Sequence, residues 1–167
     1  VAAGAEHTVA VVEDGSVFTT GSGETGQLGT GDNVTRLAPM RMGGLPPSVG
    51  PVRQVAAGNF HTGIVTEAGD LFICGAGDLG QLGLGDEEDR ATPTLVGRAL
   101  FDGEAVLMVA CAQQHTVVLT EGGGVYTFGR GNLGRLGHGN TWDQLAPRRV
   151  PAAAFRPNGS AEEHSNR

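Results

Sequence analysis

Apolar residues in this chain come in runs of four to six, each closed by glycine or a polar turn, and nowhere recur at the spacing of a helix face. One stretch shows the full pattern. Val52 to Ala57 is apolar-rich and ends at Gly58, and His61 to Thr66 reads HTGIVT, with β-branched residues suited to a pleated surface. Glu67 to Asp70 is a turn, and Leu71 to Cys74 reads LFIC. A glycine-rich loop runs from Gly75 to Asp86. Pro93 to Val96 forms a last short apolar piece, with proline at its first position, where a missing donor is tolerated. The pattern predicts four short strands joined by tight turns.

The same pattern occurs three times at a fixed step of 54 residues. His7, His61 and His115 are equivalent; so are Gly21, Gly75 and Gly129, and Gly26, Gly80 and Gly134. Leu28, Leu82 and Leu136 recur inside the glycine loops, as plugs that tie each loop to a core. HTVAVV and HTVVLT stand at the second strand, and Val17-Phe18-Thr19 and Val125-Tyr126-Thr127-Phe128 at the third. A four-strand unit of this length, copied, buries its apolar face against the next copy. The expected fold is all-β, a partial β-propeller of about three four-stranded blades. Residues 1–150 divide into a partial first repeat (1–42), a second (43–96) and a third (97–150). Residues 151–167 read as a tail, flexible beyond Phe155. Val1 aligns with Val55, inside a strand, so the expectation is a fragment of a larger propeller or a piece completed by other chains.

Composition narrows the chemistry. The net charge of -7 disfavours a grip on nucleic-acid backbone, and the absence of lysine excludes Schiff-base chemistry and a P-loop. No segment has the length and apolarity of a membrane span. Charge is uneven: residues 1–108 hold 14 acids and 5 arginines, net -9, and residues 109–167 hold 4 acids and 6 arginines, net +2. Cys74 and Cys111 read as buried strand thiols. The sequons at Asn33 and Asn158 matter only for a secreted chain.

Each tempting motif has a structural counterpart. Gly75-Ala76-Gly77-Asp78-Leu79-Gly80 matches a dinucleotide fingerprint, but it runs into Gln81-Leu82-Gly83-Leu84-Gly85, which cannot open the helix that a pyrophosphate needs. The three histidines suggest a metal site, yet equivalent positions in neighbouring blades stand about 10 Å apart. They read instead as buried imidazoles hydrogen-bonded to backbone of the same or next blade. Glu24 and Asp78, with Asn132 third, invite an acid–base pair and equally fit a solvated loop rim. No serine has a nucleophile-elbow context. No catalytic residue, cofactor or metal is expected.

The shared residues read approximately V-A-x-G-x-x-H-T, a strand, a turn, then G-x-G-x-x-G-x-L-G-x-G-D and a later proline; the loops are GSGETGQLGTGD, GAGDLGQLGLGD and GRGNLGRLGHGN. This resembles the regulator of chromosome condensation repeat family, whose members form seven-bladed β-propellers. The resemblance covers residues 1 to about 150. Copy three departs from it at Ala112, where the others have Gly4 and Gly58, at Arg135 for Gln27 and Gln81, and at Asn140 for Asp32 and Asp86.

The resemblance implies a non-enzymatic protein-interaction scaffold, with a protein partner held within a larger assembly. Its alternative is guanine-nucleotide exchange on a small Ran-like GTPase, which needs an inserted wedge; the linkers Gly43–Gln54 and Gly97–Met108 are equal in length and offer none. Light sensing through clustered tryptophans, also known in the family, lacks its residues, because Trp142 is alone. Recognition falls to unshared residues. Asp86, Glu87, Glu88 and Asp89 form a solvated loop or a dock for a basic partner. Arg130, Arg135, Arg148 and Arg149 form an opposite patch, and Trp142 is either an interface anchor or core. The expected compartment is intracellular, cytoplasmic or nuclear.

Overall fold

A computed structural model describes residues 1–155. The tail beyond Phe155 and the sequon at Asn158 lie outside the described residues. Three four-stranded antiparallel sheets follow one another along the chain. The first holds β1 (Ala2–Ala3), β2 (His7–Val11), β3 (Val17–Gly21) and β4 (Arg36–Arg41). The second holds β5 (Val52–Ala57), β6 (His61–Thr66), β7 (Leu71–Gly75) and β8 (Arg90–Val96). The third holds β9 (Val106–Cys111), β10 (His115–Thr120), β11 (Val125–Gly129) and β12 (Gln144–Arg149). Strand order in each sheet is strand order in the chain. The fold is all-β, three blades of a propeller.

The central sheet shows why alternation suffices to build the stack. Every residue of β6 and β7 is buried. Ile64, Phe72 and Cys74 face a cluster with Val9, Val17 and Val55 of the first junction. Val65, Leu71 and Ile73 face a cluster with Val109, Val118, Tyr126 and Phe128 of the second. Successive side chains of a strand point to opposite faces, so one sheet serves two cores. Leu28, Leu82 and Leu136 are at most 2% exposed and seat the glycine loops.

The first strands of neighbouring sheets lie together, β1 against β5 and β5 against β9, and define the side nearest the fan axis. There the Gln54 amide pairs with backbone of the next sheet: Nε2 donates to the Val109 carbonyl at 2.9 Å, and the Val109 N–H donates to Oε1 at 3.0 Å. Farther out, each glycine loop bonds to the fourth strand of the next sheet, Gly31 N–H to the Ala91 carbonyl and Gly85 N–H to the Leu145 carbonyl, both 2.9 Å.

The fourth strands start earlier than the proline pattern predicts. β8 begins at Arg90, and Pro93 lies inside it. The ladder pairs Ile73 with Thr94 and Gly75 with Arg90, across a register shift. This irregularity on an outer strand accommodates a residue without an N–H. Equivalent shifts occur at Thr19/Gly21 and Thr127/Gly129. Gly75, one residue beyond the predicted strand end, closes β7 with φ +116°, and a Cβ there would lie 2.3 Å from the Phe60 carbonyl oxygen. Only glycine fits that position.

Candidate functional site

Two kinds of residue occupy the blades: those that all copies share, and those that one copy alone carries. The shared histidines bind across the junctions. His7 Nε2 lies 2.8 Å from Thr62 Oγ1, and His61 Nε2 lies 2.9 Å from Thr116 Oγ1. The same hydroxyls donate to the glycine-loop carbonyls, Thr62 to Gln27 and Thr116 to Gln81, each at 2.7 Å. The imidazoles of His7 and His61 therefore meet a threonine hydroxyl of the next blade, rather than the backbone that the sequence suggests.

This geometry fixes the ring tautomer. A hydroxyl has one proton, and two oxygens at 2.7 Å require it between them. The threonine must then accept from the ring, so Nε2 carries the proton and Nδ1 is bare. The Nδ1 atoms of His7 and His61 are buried without a hydrogen-bond partner. Burial lowers the pKa of His7 to about 4 and that of His61, with help from the other two imidazoles, to about 3. Neutral rings held at junctions are building elements. Among the described residues, no group of three or more histidine, cysteine, aspartate or glutamate side chains is placed to hold a metal.

Close backbone approach accompanies the relay. A Cβ on Gly4 would lie 2.4 Å from the Gly58 carbonyl oxygen, and one on Gly58 would lie 2.3 Å from that of Ala112. Ala112 itself carries a Cβ, and no further sheet packs on it among the described residues. Burial raises the pKa of Cys74, and it raises that of the half-buried Cys111 to about 12, so both free thiols are held in the protonated form.

The acidic run divides on inspection. Asp86 pairs with Arg90 at 2.6 Å, as Asp32 pairs with Arg36 in the first blade. Asp89 accepts from the Gly77 N–H at 2.8 Å, as Asp143 accepts from Gly131 at 2.7 Å in the third. These two carboxylates close loops. Glu87 and Glu88 are exposed and tied to nothing through their carboxylates among the described residues. Asp78 accepts from the Gln81 amide at 2.9 Å, which accounts for it as a loop brace.

Trp142 holds the third-blade position equivalent to Glu88 and is 71% exposed. Arg130 donates to the Gln114 amide oxygen at 2.7 Å, near the same rim. Arg135 reshapes its loop. In the other copies a glutamine Oε1 accepts from a loop N–H, Gln27 from Thr25 at 3.0 Å and Gln81 from Leu79 at 2.9 Å. Guanidinium has no acceptor. Arg135 instead donates to the Asn132 carbonyl at 3.1 Å, and Leu133 turns to φ +61° with its side chain 89% exposed.

Glu87, Glu88, Arg130, Arg135 and Trp142 thus share the rim from which the glycine loops emerge. Arg148 and Arg149 do not join them. They pair with Thr127 and Tyr126 toward the opposite end of the blade, and Arg149 reaches Asp102 of the second linker at 3.4 Å. The threonines of the relay carried no signal as single residues. Their signal was the recurring His-Thr pair, at 7–8, 61–62 and 115–116.

The regulator of chromosome condensation (RCC1) repeat matches this chain over residues 14–65, 68–119 and 122–158. The probable E3 ubiquitin-protein ligase HERC3 of Homo sapiens is 41% identical over 90% of the chain and 14% of its own length. The ultraviolet-B receptor UVR8 of Arabidopsis thaliana is 40% identical over 91% of the chain and 34% of its own. The chain therefore spans roughly a third or less of these relatives. Among solved structures, Prp20p of Saccharomyces cerevisiae, described with its binding to Gsp1p and histones, superposes with a TM-score of 0.81 at 26% identity, covering 92% of this chain and 38% of that one. Yeast RCC1 (Prp20) with Kap60 bound gives 0.80, also at 26% identity, over 92% of this chain and 37% of that one.

Proposed function

Since the chain belongs to the regulator of chromosome condensation repeat family, we propose that it is a non-enzymatic docking platform whose glycine-loop rim holds a protein partner within a larger assembly. One observation carries this reading. The residues that the copies share are consumed in joining the blades at the two junctions, while Glu87, Glu88 and Trp142 stand exposed on one rim and serve no internal bond through their side chains among the described residues. An exposed indole beside charges of both signs is suited to a protein surface with an apolar pocket and a mixed rim. Structures of relatives point the same way, Prp20p being described with Gsp1p, histones and Kap60. The acidic balance disfavours nucleic acid as the direct ligand. Two unbridged cysteines support an intracellular setting.

Affinity capture with the chain as bait, read by mass spectrometry, tests the rim. Trp142→Ala and the pair Glu87→Lys/Glu88→Lys are expected to weaken binding of the captured protein about thirtyfold, with melting unchanged, because truncating an anchor costs about 2 kcal/mol. Equal recovery from both variants would remove the rim as the dock. The resemblance to Prp20p also keeps guanine-nucleotide exchange as a second reading. Acceleration of labelled-nucleotide release from a Ran-like GTPase by the intact parent protein would replace the scaffold reading with that one.

A further inference from the structure

The two linkers are equal in length and unequal in what they hold. The second clasps both of its sheets through side chains. On the side of the second sheet, Arg98 pairs with Asp70 at 2.7 Å and donates to the Ala68 carbonyl. Phe101 is 0% exposed and packs edge-on to Tyr126, with ring centres 5.3 Å apart. On the side of the third sheet, Asp102 accepts from the Tyr126 hydroxyl at 2.6 Å and pairs with Arg149 at 3.4 Å. Glu104 accepts from the Thr120 hydroxyl.

The first linker has none of these groups. Gly44, Pro47, Ser48 and Gly50 stand where the second has Arg98, Phe101, Asp102 and Glu104. The facing residues differ as well: Ser16 replaces Asp70, Phe72 replaces Tyr126 and Leu95 replaces Arg149. All of these positions are described and the second sheet is complete beside the linker, so the contrast lies in the side chains themselves. Among the described residues, no side chain of residues 43–51 makes a hydrogen bond or an ion pair. What the junctions share lies elsewhere. The bonds of His7 to Thr62 and His61 to Thr116 hold both, as do the glycine-loop bonds to Ala91 and Leu145.

We propose that the first linker is a hinge: the second and third blades move as one body, and the first blade rocks against them about its His7–Thr62 bond. A junction held at the glycine rim and clasped at the linker has no rotation left, whereas one held at the glycine rim alone keeps one. Glycine and proline at Gly43–Pro47 let the backbone absorb the motion without breaking a side-chain bond. Glu87, Glu88 and Trp142 all stand on the two-blade body and keep a fixed relation to one another, while the loop tip at Asn33–Val34 rides on the first blade. The hinge does not rest on the docking reading and stands or falls separately.

Native-state hydrogen exchange of the full chain, followed by two-dimensional NMR, has a matched pair of reporters. The Glu67 N–H donates to the Pro51 carbonyl at the end of the first linker, and the Glu121 N–H to the Ala105 carbonyl at the end of the second, both at 2.9 Å. Glu67 is expected to exchange about tenfold faster. The double variant Asp102→Ser/Tyr126→Phe gives the second junction the residues of the first; it should raise the Glu121 rate about tenfold and leave Glu67 unchanged. Residual dipolar couplings identify the bodies. One alignment tensor should fit β5–β12, β2–β4 should need a weaker one, and the double variant should separate β9–β12 from β5–β8. Equal rates at Glu67 and Glu121, one tensor of full strength for all three sheets, or a double variant that behaves as the parent would overturn the proposal.

Discussion

Thr62→Val is expected to destabilise the chain by about 3 kcal/mol, lowering its melting temperature by on the order of 10 °C. The substitution keeps the shape and the β-branch and removes one hydroxyl. That hydroxyl accepts from His7 Nε2 at 2.8 Å and donates to the Gln27 carbonyl at 2.7 Å. Its loss leaves the buried His7 Nε2–H unpaired and the Gln27 carbonyl with only the weak Cys74 thiol contact at 3.8 Å, an unpaired buried group costing about 1–3 kcal/mol. Thr62→Ser, which keeps the hydroxyl, should stay within about 1 kcal/mol of the parent. The repeat supplies its own control. Thr8 is the equivalent residue of the first blade, where it is exposed and joins no relay, so Thr8→Val should change stability by less than about 0.5 kcal/mol. Chemical denaturation of the three variants checks the set. Equal losses at Thr8 and Thr62 would show that strand propensity, not the junction, is being measured.

Acid should loosen the same junctions. Unfolded, both histidines protonate near the ordinary value of about 6.5. Folded, His7 is held at about 4 and His61 at about 3, chiefly by burial. The unfolded chain therefore binds protons that the folded chain refuses, and stability falls as pH drops below about 6.5, until each folded pKa is passed. At about pH 5 the expected loss is about 2 kcal/mol per ring, about 4 kcal/mol for the pair. That is a large share of the 5–15 kcal/mol of an ordinary domain. Denaturant midpoints across this range check it. His61→Gln should remove about 2 kcal/mol of the loss at about pH 5, because a neutral amide does not titrate there.

Much of this architecture is visible in the amino-acid order. Strands such as His61–Thr66 and Leu71–Gly75 announce themselves through β-branched runs bounded by glycine, because burial on both faces leaves no room for polar alternation. The equivalence of His7, His61 and His115 is legible because the repeat has no insertion. The identity of their partners is not, since each lies in the next blade, 55 residues on, and looks like one more strand threonine. The early start of β8 at Arg90 is hidden too, because Pro93 reads as a first residue until the register shift opposite it is seen.

The candidate dock was half legible. A run of four acids looks uniform in a sequence, yet Asp86 and Asp89 are spent on loop closure that other blades repeat, and only Glu87 and Glu88 of the run remain free among the described residues. Aligning Asp89 with Asp143 would have separated them. Arg148 and Arg149 sit close to Trp142 in the chain but toward the other end of the blade, because a strand carries the chain away from the loop. The contrast between the linkers escaped entirely. Equal lengths suggest equal roles, and only the bonds of Arg98, Asp102 and Glu104 show what Gly44, Ser48 and Gly50 fail to supply.

The account holds that shared imidazoles are neutral pins between blades. Long-range proton–nitrogen spectra of the histidine rings, taken from about pH 7 to about pH 5, read this directly. Two rings should keep a proton on Nε2, a bare Nδ1 and constant shifts throughout. Both rings titrating near the ordinary value, or carrying the proton on Nδ1, would contradict the relay and with it the division between residues that build and residues that bind.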